Sequence, residues 1–145
     1  MRLNSWALPA VADVLAGVRR MVFARAAGKC EYCLISEVEA GHPHEPDHII
    51  PIQHGGAADL DNLALACALC NRFKGPNVAS YDPDTGALVA FFHPRRQAWP
   101  EHFGLEDGVI QPKTAEGRVT ALILKLNLPA RINERRRLIA NGLYP

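Results

Sequence analysis

Long apolar runs are missing from this chain of 145 residues. No stretch approaches the roughly 20 residues that a membrane-crossing helix needs, which argues against a membrane protein. Met1 to Ala10 carries one Arg and lacks an apolar core with a small-residue cleavage site, so no signal peptide is expected and the chain reads as cytoplasmic. Internal repeats, low-complexity tracts and an obvious interdomain linker are also absent, so one domain over 1–145 is expected. Its apolar fraction of 48% and charged fraction of 21% are ordinary for a globular protein. Cysteine is scarce, with four in all, and none falls outside a pair.

One sign of charge is missing from the middle. Between Cys30 and Asn71 there are seven acidic residues and no Lys or Arg. The rest of the chain holds all 16 basic residues against eight acidic ones, a surplus of eight hidden by a net charge of +1. An acidic, cation-collecting centre between basic flanks suits a metal-dependent enzyme acting on a polyanion. Charges lying on solvated helix faces explain the same counts equally well.

The pattern predicts an α+β chain. An amphipathic helix is expected over 9–27, with Val11, Val14, Leu15, Val18 and Val22 on one face, Pro9 in its first turn and Gly28 at its end. Residues 34–45 read as an irregular connection. Asp47 to Ile52 reads as a strand, 53–61 as a loop containing Gly55-Gly56, 62–66 as a second strand, and 68–74 as a short helix ended by Gly75-Pro76. Further on, a turn at 82–86 leads into a strand over 87–92, and Glu106-Asp107-Gly108 marks another turn. A helix from Thr114, with Val119, Leu122, Ile123 and Leu126 on one face, and a last helix over 129–140 complete the reading.

The cysteines form Cys30-x-x-Cys33 and Cys67-x-x-Cys70, with 33 residues between the pairs. Two such pairs in an apparently cytosolic chain suit tetrahedral zinc, and four protein ligands would close the site and make it structural. A thioredoxin-like redox pair, an iron–sulfur centre and four plain buried thiols are the alternatives. Asp47-His48 alone is ordinary, but it sits between the pairs, is followed closely by Pro51 and Gly55-Gly56, and Asn71 is joined to Cys70. A zinc at the cysteines would therefore hold the helix bearing Asn71 against the strand bearing His48.

Together, Asp47-His48-Ile49-Ile50-Pro51, Gly55-Gly56, Asn62-Leu63 and Cys67-x-x-Cys70-Asn71-x-x-Lys74 resemble the HNH endonuclease motif, and more narrowly the zinc-stapled bacterial members. The intervals of 14 residues from His48 to Asn62 and nine from Asn62 to Asn71 are similar to those of HNH domains in RNA-guided CRISPR effectors. The motif covers residues 30–75. Phe92-His93-Pro94-Arg95, Trp99 to Phe103 and Gly117-Arg118 are more loosely similar to the tails of small stand-alone members.

The resemblance implies a ββα-metal core, here over 30–75 and stapled by a four-cysteine zinc; with the patterns above, the expected chain adds an N-terminal helix over 9–28 and a strand-plus-helices extension over 76–145. The resemblance also implies roles. His48 would be the general base, since a neutral imidazole can take a proton from water attacking phosphorus. Asp47 and Asn71 would hold a divalent cation that stabilises charge growing on the phosphate and the leaving 3′-oxygen. Asn62 would orient His48 by bonding across the loop. Lys74, Arg72 and His54 would meet the nucleic-acid backbone. Many family members carry His where this chain has Asn71, and a carboxylate plus an amide oxygen favours Mg²⁺, with Mn²⁺ as the alternative.

The expected partner is DNA, with RNA left open, and the expected products carry 5′-phosphate and 3′-hydroxyl ends. The alternative is a non-catalytic, zinc-stabilised module that binds nucleic acid, which would not need Asp47, His48 and Asn71 together. A zinc-stabilised protein-interaction domain explains neither these three residues nor the charge asymmetry. His42 and His44 read as loop lining, and Trp99 and Phe103 as core. Arg95, Arg96, Arg131, Arg135, Arg136 and Arg137 are either backbone contacts or solvated charges.

Overall fold

The structure, a computed structural model, describes residues 11–145. Among them, α1 (Val11–Arg25) is the N-terminal helix. Its apolar stripe is narrower than the sequence suggests. Val22 is fully buried and Val18 half-buried, whereas Leu15 is 63% exposed. Pro9 and the side chains of Val11 and Val14 lie outside the described residues. Arginine does much of the docking instead: Arg25 donates to Leu60 O at 2.8 Å and to Leu63 O at 2.6 Å, and Arg19 donates to His44 O at 3.2 Å.

A bridge between Lys29 and Ser36 closes the loop bearing Cys30 and Cys33. The expected irregular connection contains a one-turn helix, α2 (Glu37–Ala40), because the Ser36 hydroxyl accepts from Glu39 N and Gly41 takes a left-handed φ of 73° at its end. β1 (Glu45–His48) then pairs antiparallel with β2 (Leu63–Ala66), placing His48 opposite Leu63 and Asp47 opposite Ala64. The expected first strand began at Asp47 and ran to Ile52, but β1 starts earlier and stops at His48. The side chain of Asn62 takes both Ile50 N and Ile50 O at 2.9 Å, so these groups leave the ladder, and Pro51 has no N–H to offer. A short 3₁₀ turn over Ile52–His54 follows in place of strand. α3 (Ala68–Lys74) matches its expected bounds and is capped by the Cys67 sulfur.

The C-terminal extension supplies two more hairpins and three helices. β3 (Ala79–Tyr81) pairs with β4 (Leu88–Ala90), and α4 (Trp99–His102) leads into β5 (Phe103–Glu106) paired with β6 (Val109–Pro112). Asp107 and Gly108, both at positive φ, make the tight turn between the last two strands. α5 (Ala115–Ile123) is capped by Thr114, and α6 (Pro129–Ala140) follows. Val119 and Leu126 are buried as expected, but Leu122 is 52% exposed, and Leu126 lies beyond the end of α5. No described helix is long and apolar enough to cross a membrane.

The main core joins the extension to the cysteines. Phe91, Phe92, Phe103, Ile110, Leu124 and Leu138 pack in one cluster with all four Cys, while Val22, Leu63 and Leu65 form a smaller cluster under α1. Asp82, at the start of the β3–β4 turn, ties that hairpin to α5. Its buried carboxylate accepts from Arg118 Nε and Nη2, both at 2.8 Å, and from the Thr85 hydroxyl at 2.9 Å. These donors, Arg118 first, hold the Asp82 carboxyl well below the usual carboxylate range. A carboxyl depressed in the fold contributes stability above its unfolded pKa of about 3.9, and loses it as pH falls toward the folded value. Urea midpoints measured from pH 6 down to pH 2 should therefore fall with acid, and Asp82→Asn should flatten that part of the slope.

Candidate active site and its four-cysteine cluster

The four cysteines are free thiols, all buried, with ligand atoms within 4.8 Å of one another. Four sulfurs at about 2.3 Å from a tetrahedral zinc lie about 3.8 Å apart. Cys33 Sγ and Cys67 Sγ stand 3.7 Å apart, which fits that ion. The first pair sits on a tight loop in which Leu34 takes a φ of 66° and Leu34 N donates to Cys30 O at 2.9 Å. The second pair spans the entry to α3, where Cys70 N donates to Cys67 Sγ at 3.4 Å.

The loop bearing Cys30 and Cys33 is gripped from every side. Glu31 N donates to Leu65 O at 2.8 Å, and Glu31 Oε2 accepts from Leu65 N at 2.7 Å. Arg95 pairs with the other oxygen of Glu31. Trp99 Nε1 donates to Tyr32 O at 2.9 Å, and the Tyr144 hydroxyl donates to Cys33 O at 2.6 Å. Arg131, 5% exposed, donates to Leu124 O at 2.8 Å and reaches Cys70 Sγ at 3.1 Å. Burial opposes its charge, yet the sulfurs of Cys70, Cys33 and Cys67 keep the guanidinium protonated above the ordinary arginine range. Arg131 would thus offset part of the charge of a zinc tetrathiolate formed by these cysteines. Arg135 is also committed inside, to Gly108 O at 2.6 Å and Leu126 O at 2.7 Å. Neither arginine is a free surface charge.

Asp47, His48 and Asn71 line one open cleft of about 370 Å³, together with Gln53 and Pro76. Asp47 is 8% exposed. Its Oδ2 meets Lys74 Nζ at 3.0 Å and the Tyr32 hydroxyl at 3.4 Å. Burial pushes the Asp47 carboxyl above its ordinary range, against the pull of the Lys74 ammonium and the Tyr32 hydroxyl. His48 stands at the end of β1, and its Nε2 is buried with no partner among the described residues. Buried polar atoms are usually satisfied, so an unspent imidazole nitrogen beside this cleft asks for a chemical reason.

Asn62 does not enter the cleft. It is buried, and besides its two bonds to Ile50 its Nδ2 donates to Ala57 O at 2.8 Å, so it pins the loop after His48. Gly56 completes that arrangement. A Cβ there would lie 1.6 Å from Ile50 O and 2.8 Å from Asn62 Nδ2, so only glycine lets the loop close on the amide.

Residues 30–77 match the HNH endonuclease family. This segment is an HNH domain. The match spans the four cysteines, the cleft residues and all of α3. No curated protein and no solved structure shows significant similarity to the chain. The HNH match makes the segment nuclease-type, and it overlaps a buried four-cysteine cluster that could hold a metal ion.

The expected nucleic-acid contacts divide. Arg72 is exposed on α3. The exposed His54 has Nε2 at 3.0 Å from Pro76 O, a bond that links the loop to the chain beyond α3. Lys74 is not at the surface of the HNH domain. It is 1% exposed, with its ammonium on Asp47 and on His48 O at 2.8 Å. Its position in the motif suggests a phosphate ligand, but a lysine three residues after Asn71 returns to the same face of α3 and meets the end of β1. Arg131 and Tyr144 were the residues missed. An Arg in a Pro129–Ala140 helix of several basic residues and a lone Tyr near the chain end carry no spacing signal toward the cysteines.

Zinc retention tests the Arg131 contact. Arg131→Met should weaken zinc binding by roughly 10- to 100-fold, as measured by chelator competition, because it removes a buried cation from the thiolates. The exposed Arg137→Met on the same helix should leave it unchanged.

Proposed function

We propose that this protein is a divalent-cation-dependent endonuclease that hydrolyses phosphodiester bonds in DNA, leaving 5′-phosphate and 3′-hydroxyl ends. The observation that carries the reading is the convergence of Asp47, His48 and Asn71 on one cleft inside the HNH domain. His48 serves as the general base, accepting the proton of the attacking water on its imidazole. The donor set suits a hard cation, since the carboxylate oxygen of Asp47 and the amide oxygen of Asn71 are the protein ligands and neither is a thiolate or imidazole. When bound, Mg²⁺ or Mn²⁺ would neutralise charge growing on the scissile phosphate and its leaving oxygen. Asn62 holds the backbone that follows His48 and thereby fixes the base against the cleft.

The zinc has a separate task in this reading. Four thiolates leave it no open position, so it keeps α3 and the cysteine loop together and takes no part in hydrolysis. Basic flanks with a surplus of eight charges would bring a polyanion toward a segment that is itself acidic. The ion pair between Asp47 and Lys74 favours the other reading, a zinc-stabilised nucleic-acid-binding module, because it already satisfies the carboxylate without a cation.

Plasmid nicking separates the two. With zinc-loaded protein, supercoiled DNA should be nicked in Mg²⁺ or Mn²⁺, and not when divalent cations other than the bound zinc are withheld. His48→Ala should lower the rate by roughly 10²-fold or more, the scale of general-base catalysis, with zinc content and melting temperature retained. DNA binding without divalent-dependent nicking would favour the binding module, whereas unchanged nicking by His48→Ala would overturn the assignment of His48 as the base.

A further inference from the structure

We propose that Lys74 is a resident counter-cation for Asp47, sharing the carboxylate with the divalent cation of the cleft. The proposal rests on the endonuclease reading above. Lysine is almost never fully buried unless it is paired, and Lys74 is 1% exposed. Its stem runs from the last turn of α3 to the end of β1, where Nζ lies 3.0 Å from Asp47 Oδ2 and donates to His48 O at 2.8 Å. One side chain therefore touches the proposed ligand and the backbone of the proposed base, and it springs from the helix that carries Asn71.

The energetic reason is the burial of Asp47. A carboxylate out of water without a partner is costly, and without Lys74 a cation-free protein would hold such a group on β1. The ammonium removes that cost before any metal arrives. Both contacts to the carboxylate, from Lys74 and from the Tyr32 hydroxyl, fall on Oδ2, and Asp47 lines the cleft, so a cation there would take Oδ1. The arrangement has a consequence for affinity. A positive charge beside a cation site weakens cation binding, so Lys74 gives a fold that stands without the metal in exchange for a weaker metal site.

Mn²⁺ binding and thermal unfolding test this on the full, zinc-loaded chain in metal-depleted, chelator-free buffer. Lys74→Met should melt roughly 10 °C below wild type without Mn²⁺, the scale of losing one partner of a buried pair. Saturating Mn²⁺ should recover most of that deficit while moving wild type much less. Electron paramagnetic resonance should give Lys74→Met an Mn²⁺ dissociation constant about threefold or more below that of wild type. The double variant Asp47→Asn/Lys74→Met should lose the Mn²⁺ response, which would place the effect on this carboxylate. If Lys74→Met does not fold, Lys74→Gln carries the same comparison. Weaker Mn²⁺ binding by the variant, or a deficit that Mn²⁺ does not repair, overturns the assignment of Lys74 while leaving the cation site standing. Failure of wild type and variant alike to bind Mn²⁺ overturns the cation site itself, and the proposal with it.

Discussion

Four sulfurs drawn within 4.8 Å of one another are the constraint on which the rest of the molecule depends. They join the tight loop closed by the Lys29–Ser36 bridge to the corner where β2 becomes α3. A zinc there would close a long loop and add its binding energy to folding. The surrounding contacts use the same anchor. Trp99, Tyr144 and Arg131 come from distant parts of the extension and all bond to the two Cys-x-x-Cys segments, so the C-terminal half is a clamp on the staple.

The staple also reaches the cleft. Asn71 follows Cys70 directly, so any shift of Cys70 moves Asn71 with it. Tyr32 lies between Cys30 and Cys33, and its hydroxyl faces Asp47 Oδ2. Lys74, one turn beyond Cys70, closes on the same oxygen. Three short connections thus run from the thiolates to the carboxylate and amide proposed to hold the cation. The cleft needs little regular structure because these connections, with Asn62 gripping Ile50, fix its walls.

Much of this was legible in the sequence because the informative residues are close together and chemically distinctive. Cys-x-x-Cys spacing, the Asp47-His48 pair, Gly55-Gly56 and α3 with its terminating Gly75-Pro76 are local signals, and β2, α3 and α6 appeared close to where expected. Errors arose where a side chain overrode local propensity. Ile49-Ile50 has the composition of a strand, but the Asn62 amide takes the Ile50 backbone and ends β1 early. Lys74 has the composition of a surface cation, but burial of Asp47 draws it inward. The contact of Arg131 with Cys70 joins residues 61 positions apart, and that of Tyr144 with Cys33 spans 111, so no window along the chain contains them.

In the proposed reading, one short segment holds two metal sites with separate tasks, a closed thiolate site and an open oxygen site. Anomalous diffraction from crystals of the zinc-loaded protein soaked in Mn²⁺ tests it most directly. The account predicts a zinc signal enclosed by Cys30, Cys33, Cys67 and Cys70, and a distinct manganese signal between Asp47 and Asn71. Manganese absent from that cleft, or found only at the cysteines, would contradict it.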